Sequence, residues 1–202
     1  MVTPTLDVVD VGCDHALLDI FLAQTRSCHM IAADVNAKVY ERALANVKAY
    51  QVEDAVEVVL TDGLTGISTK HKAVVIAGMG FQTIAHILTD TSNLDMDELI
   101  IQSNNEHEAL RRFMTKQKFK ITQELYLIDK HQDYILMKFQ RGSANYRKID
   151  YLVGPYLKKD AYYVKQLLSK KQKILAKIPR KYWIKRLNLY LEIRQIKKSN
   201  RS

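Results

Sequence analysis

The sequence predicts an α/β protein whose mixed sheet has a doubly wound parallel part, a closing antiparallel hairpin and a helical hairpin after it. Short apolar, β-branched runs alternate with helical patterns through the first 120 residues. Two further strand-like runs follow with only four residues between them. Nearly continuous apolar strands are typical of a parallel sheet covered on both faces. Their alternation with helices predicts a doubly wound sheet.

The parallel part contains five predicted strands and four predicted helices. The strands are residues 7–11, 30–33, 56–60, 73–77 and 99–101, and the helices lie at about 15–25, 37–51, 81–90 and 105–117. The helices are recognised by spacing: in the second one Val39, Ala43, Leu44 and Val47 recur with the helical period.

The hairpin follows from the short link between residues 120–128 and 133–139. A parallel pair needs a crossover of a dozen or more residues, so these two strands must pair antiparallel. A nicotinamide-binding Rossmann domain would continue with another crossover helix and parallel strand. The predicted mixed sheet instead resembles the plan of the class I methyltransferases.

Beyond the sheet, the sequence predicts two helices. Pro155 can occupy the first turn of a long helix that runs to Ile178. Pro179 ends that helix, and a second helix starts near Arg180. Two helices with so tight a joint predict an antiparallel helical hairpin. We therefore divide the chain into a Rossmann-like domain, residues 1–142, and a basic, coiled-coil-like helical domain, residues 143–202.

The two segments also differ in net charge. The chain has 31 Lys and Arg against 22 Asp and Glu, a net charge of +9. Residues 141–202 hold 18 of the basic residues but only three acids, whereas residues 1–140 are net acidic. A basic appendage of this kind is typical of proteins that bind polyanions. A solvated helical face that binds nothing remains the alternative.

Other features exclude several classes of protein. No apolar run approaches the roughly 18–20 residues that span a bilayer. Cys13 and Cys28 are too few for a disulfide framework, and the histidines show no metal-ligand spacing. We expect a cytoplasmic protein without a metal or a membrane partner, and favour a monomer.

The first candidate site residues follow the first strand, at the edge where ligands bind in open α/β sheets. The segment is Asp10-Val11-Gly12-Cys13-Asp14-His15. With one glycine it is not a GxGxxG fingerprint, and Asp14 would repel a pyrophosphate. A carboxylate there suits a cationic or neutral polar ligand, such as the amino group of a methionine moiety. The alternative is that Asp14 only caps the following helix.

Two more acids end the next two strands. Asp34 lies roughly 20 residues beyond the glycine turn, where an acid can accept both hydroxyls of a ribose. Asp62, followed by Gly63, could reach the amino group of an adenine. A helix cap for Asp34 and a plain turn for Asp62 are the alternatives.

The fourth and fifth strands end in glycines and neutral amides, not in acids. Ala77-Gly78-Met79-Gly80 would let the backbone approach a flat ligand. Gln102-Ser103-Asn104-Asn105 offers neutral amides able to hydrogen-bond a base edge. Asn105 could instead cap the next helix.

These motifs together resemble one family, the bacterial tRNA (adenine-22-N1)-methyltransferases, TrmK. The segments that carry the resemblance are 10–16, 62–64, 76–80, 99–102 and 153–156, within about residues 7–178. The resemblance implies an S-adenosyl-L-methionine (SAM)-binding Rossmann-like domain, a coiled-coil-like C-terminal domain and methylation of N1 of an adenine in the tRNA D-arm. The chain has Phe81 and Ser103 where the family usually has Gly and Pro.

We therefore predict a SAM-dependent tRNA (adenine-N1)-methyltransferase with tRNA as its partner. The predicted catalytic residues are Asp14, Gln102 and Asn104. The predicted cofactor-binding residues are Asp10, Gly12, Cys13, Asp14, His15, Asp34, Asp62, Gly63, Ala77, Gly78 and Met79. The alternative is a non-catalytic or differently specific SAM-binding RNA-binding protein.

Overall fold

A computed structural model describes residues 1–91 and 94–199. The strands are β1 Asp7–Val11, β2 Met30–Asp34, β3 Val56–Leu60, β4 Lys72–Met79, β5 Glu98–Ser103, β6 Phe119–Asp129 and β7 Gln132–Arg141. The helices are α1 Leu17–Thr25, α2 Ala37–Ala49, α3 Phe81–Asp90, α4 His107–Lys116, α5 Lys148–Leu152, α6 Ala161–Lys177 and α7 Trp183–Ser199. Residues 200–202 of the predicted C-terminal domain lie outside the described residues.

All seven strands form one mixed sheet in the order β3-β2-β1-β4-β5-β7-β6. The first five strands pair parallel, and β7 is antiparallel to both β5 and β6. The predicted fold class is confirmed, including the closing hairpin. The winding reverses between β1 and β4, because β2 and β3 lie on one side of β1 and the later strands lie on the other.

Two apolar clusters cover the two faces of the sheet, as the alternation of side chains along a strand requires. On β1, Val8 belongs to one cluster and Val9 to the other. Helices α1 and α2 pack on the Val8 face, and α3 and α4 on the Val9 face. The Val9 cluster continues into the C-terminal segment, through Leu157, Val164 and Ile196. The boundary at residue 142 stays a prediction, and a shared core joins the two segments.

The start of the long helix differs from the prediction. Pro155 is not in its first turn: α6 begins at Ala161, where the Asp160 carboxylate accepts a hydrogen bond from the Tyr163 N–H at 2.9 Å. A short helix, α5, and a 3-10 turn over Leu157–Lys159 precede it. The reason is tertiary, because the buried Glu124 of β6 accepts the N–H groups of Tyr156 and Leu157 and holds this segment against the hairpin.

The helical hairpin itself is confirmed, although α7 begins at Trp183 and not near Arg180. Lys171 of α6 pairs with Glu192 of α7 at 2.6 Å, and Arg186 lies beside the end of α6. Earlier residues of α6 thus lie beside later residues of α7, so the two helices are antiparallel. Arg186 donates to the carbonyls of Leu175 and Ile178, which are unpaired groups at the helix C-terminus. Within residues 1–91 and 94–199, no helix is long and apolar enough to cross a membrane.

Candidate functional site

The predicted site residues share the carboxyl edge of the parallel strands. The register sets Val11 of β1 beside Ala33 and Ile76, and sets Ala77 of β4 beside Gln102 of β5. Asp34, Gly12 and Gly78 consequently follow one another along the edge, with the reversal of the winding between Gly12 and Gly78. This is the position at which open α/β sheets bind ligands.

The glycine turn after β1 is held from both sides. Gly12 and Cys13 both donate their N–H groups to the Ala33 carbonyl of β2, at 2.8 and 3.1 Å. Gly12 has φ +78°, and a Cβ at this position would overlap the terminal methyl of Met79. The backbone conformation of Gly12 therefore favours glycine, whereas the Met79 methyl is the end of a flexible side chain that could move aside.

Asp14 presents an exposed carboxylate next to this turn. Its Oδ1 lies 3.7 Å from Nε2 of His15, and 73% of its side chain is exposed. Asp14 does not cap α1. The N-cap residue is Ala16, and there is no side-chain hydrogen bond at this cap. The capping alternative is therefore wrong, and the carboxylate stays accessible at the edge.

Asp34 also has a role other than the helix cap. Its Oδ1 accepts the Asn36 N–H at 2.9 Å, and the cap of α2 is Asn36 itself, which accepts the Lys38 N–H. Asp34 is half-buried, with one oxygen used in the turn. Asp62 is exposed, and its carbonyl accepts the Thr65 N–H at 3.1 Å in the turn that includes Gly63.

Gln102, Asn104 and the backbone of Gly78 form a closed hydrogen-bond ring. The Gly78 N–H donates to Gln102 Oε1 at 2.7 Å, Gln102 Nε2 donates to Asn104 Oδ1 at 3.1 Å, and Asn104 Nδ2 donates to the Gly78 carbonyl at 2.7 Å. The two backbone groups fix which end of each amide faces them. Each amide keeps one further N–H and one further lone pair for a ligand.

Two details of this cluster differ from the prediction. Gln102 does not follow β5 but lies within it and is buried, so it reaches the site only beside its neighbour. Asn104 is exposed and lies at the surface of the ring. Asn105 caps α3 and not the following helix: its Oδ1 accepts the Phe81 N–H at 2.9 Å.

A buried pair of carboxyl groups, Asp10 and Asp19, lies behind the glycine turn. Asp10 is 5% exposed and Asp19 is fully buried. Both oxygens of Asp19 are buried, and Asp10 is the neighbouring carboxyl group. Burial, and then the charge of Asp19, raises the pKa of Asp10 well above its usual value. Burial raises the pKa of Asp19 to about 7, so the pair retains a proton at neutral pH.

Asp19 is absent from the predicted site residues. The available signal was a single acid in an otherwise apolar run over residues 16–23, although the sequence does not tell which side of α1 is buried. The same pair acts on Cys13. Burial and the charges of Asp19 and Asp10 raise the pKa of the Cys13 thiol to about 12. The thiol is therefore neutral, and a nucleophilic role for Cys13 is unsupported.

The chain has the plan of a class I methyltransferase. It combines a Rossmann-like sheet and a closing antiparallel hairpin with a single-glycine turn and acids along the carboxyl edge of the sheet. The sequence profile of the tRNA (adenine(22)-N(1))-methyltransferase family, TrmK, matches residues 8–199. The chain belongs to this family, as its motifs predict.

Individual relatives agree over most of the chain. It is 28% identical over 163 residues to the Bacillus subtilis tRNA (adenine(22)-N(1))-methyltransferase, which covers 76% of this chain and 68% of the relative. The structure of Streptococcus pneumoniae Sp1610 in complex with S-adenosyl-L-methionine has a TM-score of 0.87 and 27% identity, over 96% of this chain and 92% of that one. M. capricolum TrmK in complex with S-adenosyl-homocysteine has a TM-score of 0.84 and 25% identity, over 98% and 92%.

The residues present here fit SAM as the cofactor. The ligand is a cation at its sulfonium and ammonium groups, and the edge around Gly12 carries Asp14 and Asp34 with the Asp10 pair behind it. The Gly12 turn has no Cβ, and the flexible end of the Met79 side chain lies beside it. No group of three or more potential ligands that could hold a metal ion occurs within residues 1–91 and 94–199.

Proposed function

We propose that this protein transfers a methyl group from SAM to N1 of an adenine in tRNA, at position 22 of the D-arm. The observation that carries the proposal is the carboxyl edge itself. It joins acids suited to a cationic nucleoside on β1 and β2 to neutral amides suited to a base on β5, in a chain that belongs to the TrmK family.

The cofactor side of the site is formed by β1, β2 and β3. We assign the ribose hydroxyls to the Asp34 carboxylate and the adenine amino group to Asp62. The amino group of the methionine part is assigned to the turn of Gly12, Asp14 and His15. When bound, SAM supplies an electrophilic methyl group. Gly78, which has φ +75°, and Met79 border the same space from β4.

The base side of the site is the amide ring of Gln102 and Asn104. The free N–H and lone pair of the exposed Asn104 can bind the edge of a flipped adenine without protonating N1. The N1 lone pair can then attack the methyl carbon without prior deprotonation, so no general base is needed. Positioning provides most of the catalysis, and the exposed Asp14 carboxylate stabilises the positive charge that develops on the ring.

We assign tRNA docking to residues 143–202, because the phosphate backbone is recognised by clustered basic side chains. Taking the target base out of its stack costs a few kcal/mol, and the phosphate contacts offset that cost. A site of action in the cytoplasm follows from this substrate. A monomer is the proposed state, since two such basic segments repel each other.

Methyl transfer to tRNA tests the proposal directly. The full chain is incubated with labelled SAM and total tRNA, and the modified nucleotide is then mapped. We expect N1-methyladenosine at position 22, and its absence from a transcript with A22 changed to G. Label on another nucleotide would contradict the assignment of the target. SAM binding without any transfer to RNA would favour a non-catalytic binding protein.

The ribose assignment predicts the effect of Asp34→Ala. SAM binding should weaken by roughly 1–3 kcal/mol, the cost of leaving a buried polar ligand group without its partner. Isothermal titration calorimetry measures the change, and Asp54→Ala serves as a matched control because Asp54 is exposed and lies before β3, away from the site. Unchanged SAM affinity in Asp34→Ala, in a protein that melts normally, would remove Asp34 from this role.

The base assignment predicts the effect of Asn104→Ala. Methyl transfer should fall by about tenfold or more, each 1.36 kcal/mol of barrier being one decade. SAM affinity should change little, because Gln102 still accepts the Gly78 N–H. The control is Asn105→Ala, which removes the cap of α3 and should cost about 1 kcal/mol of stability with turnover intact. Equal losses of turnover and SAM affinity in Asn104→Ala would show that Asn104 acts through the cofactor loop.

A further inference from the structure

The tip of the helical hairpin, residues 174–191, contains an apolar cavity that the sheet does not cover. The cavity has a volume of about 600 Å³ and lies where α6 ends and α7 begins. Ile174, Ile178, Tyr182 and Trp183 form its apolar lining. A second cavity, of about 300 Å³, shares Ile174, Ile178 and Tyr182 with the first. Volumes of this size accommodate a small planar ligand.

The core of the protein does not explain these apolar side chains. The buried residues of the hairpin lie at its base, with Tyr163 and Val164 on α6 and Ile193 and Ile196 on α7. At the tip, Trp183 is 64% exposed and Tyr182 is 52% exposed. Large aromatic side chains exposed together around a cavity indicate a binding surface.

The charge around the tip identifies the chemistry of the occupant. The one acid in the cavity lining is Glu192, and its carboxylate is paired with Lys171 at 2.6 Å; residues 161–191 contain no acid. Lys181 and Lys185 line the cavity, and the Lys181 ammonium lies 5.1 Å from the centre of the Tyr182 ring. Lys177 and Arg180 are exposed at the same end of the hairpin. The tip of a second copy would bring the same positive charge and be repelled, whereas a polyanion is attracted.

Aromatic faces interleaved with cations match one polyanion in particular. Proteins bind unpaired RNA by stacking its bases on aromatic rings while Lys and Arg contact the phosphates on either side. We propose that the tip cavity binds an unpaired base of tRNA, stacked on Trp183 and Tyr182. The lysines around the cavity contact the flanking phosphates. This inference rests on the proposed function, because it names a second contact between the same enzyme and its RNA.

Trp183 makes the proposal directly measurable, since it is the single tryptophan of the chain. An unmodified tRNA transcript is titrated into the full-length protein while tryptophan fluorescence and binding are followed together. We expect quenching that saturates in step with binding. Heparin, a polyanion without bases, should bind without comparable quenching. Saturated tRNA binding with no change in Trp183 fluorescence would overturn the proposal.

Substitutions distinguish the contribution of base stacking to tRNA affinity from that of phosphate contacts. Trp183→Ala should weaken tRNA binding by about tenfold, with an unchanged salt slope because no phosphate contact is lost. Trp183→Phe, which keeps an aromatic face, should recover part of the affinity. The matched control is Tyr190→Ala, an exposed aromatic on α7 outside the cavity lining, with at most about a twofold effect. Equal affinities of Trp183→Ala and the wild type would contradict the proposal.

Two further measurements distinguish a failure of the cavity proposal from a failure of the proposed function. Methyl transfer and SAM binding are assayed on the same preparations: transfer to tRNA without Trp183 quenching overturns the cavity assignment alone, whereas no tRNA binding and no transfer overturns the proposed function as well. Sedimentation without RNA tests the other occupant. A dimer that Trp183→Ala disrupts would show that the cavity serves contact between two copies, and would also overturn the proposal.

Discussion

Replacing Glu124 by alanine should destabilise the protein by about 3–5 kcal/mol, the cost of leaving a buried charge without its partner. The carboxylate of Glu124 is fully buried and accepts a hydrogen bond from Arg111 Nε at 2.8 Å, and Arg111 is 1% exposed. Its other oxygen accepts the N–H groups of Tyr156 and Leu157. The substitution therefore removes the counter-ion of the Arg111 guanidinium, which keeps its hydrogen bond to the Tyr151 carbonyl, and leaves two N–H groups without an acceptor. Urea unfolding, followed by circular dichroism, measures the loss.

A second ion pair of α4 provides the control. Glu108 and Arg112 pair at 2.7 Å with both side chains about 40% exposed, so Glu108→Ala should cost less than about 1 kcal/mol. Glu124→Gln keeps the shape and an oxygen acceptor, and should fall between the two. If Glu124→Ala cost no more than Glu108→Ala, the buried pair would not be what joins the hairpin to the C-terminal segment.

Replacing Asp19 by asparagine should stabilise the protein at pH 8, by on the order of 1–3 kcal/mol. The folded pKa of Asp19 is about 7, against an ordinary value of 3.8. The folded state therefore holds a proton that the unfolded chain releases between these two values. The contribution of Asp19 to stability is complete below pH 4 and is lost as the pH rises through about 7. An amide has no charge to desolvate and avoids that loss.

Melting temperatures from pH 4 to 8 test this linkage. The advantage of Asp19→Asn over the wild type should be largest at pH 8 and shrink as the pH falls towards 4. Asp14→Asn is the control, because the exposed Asp14 carboxylate carries no burial cost. An advantage of Asp19→Asn that was independent of pH would mean that its side chain acts through packing and not through its charge.

The role of segment 153–156 became clear only from the fold. The sequence placed Pro155 at the start of a helix, on local preference alone. In the structure Gly154 has φ +116°, and a Cβ there would lie 2.5 Å from Glu124 Oε2. The glycine is needed because the backbone passes directly beside a buried carboxylate 30 residues earlier in the chain, which no local pattern reveals.

What the sequence determined by itself was the order of elements, the parallel sheet with its hairpin, the family and the line of acids and glycines along one edge. These features follow from periodicity, from loop lengths and from residues beside each strand end, all of which are local. Tertiary structure decided the Asp10–Asp19 pair, the amide ring of Gln102 and Asn104, the Glu124 junction and the exposed tip around Trp183. Each of these depends on side chains distant in the chain coming within hydrogen-bonding or Coulombic range, or on which apolar residues the core leaves uncovered. Burial and long-range contacts determine these features, and neither can be predicted from the spacing of residues along the chain.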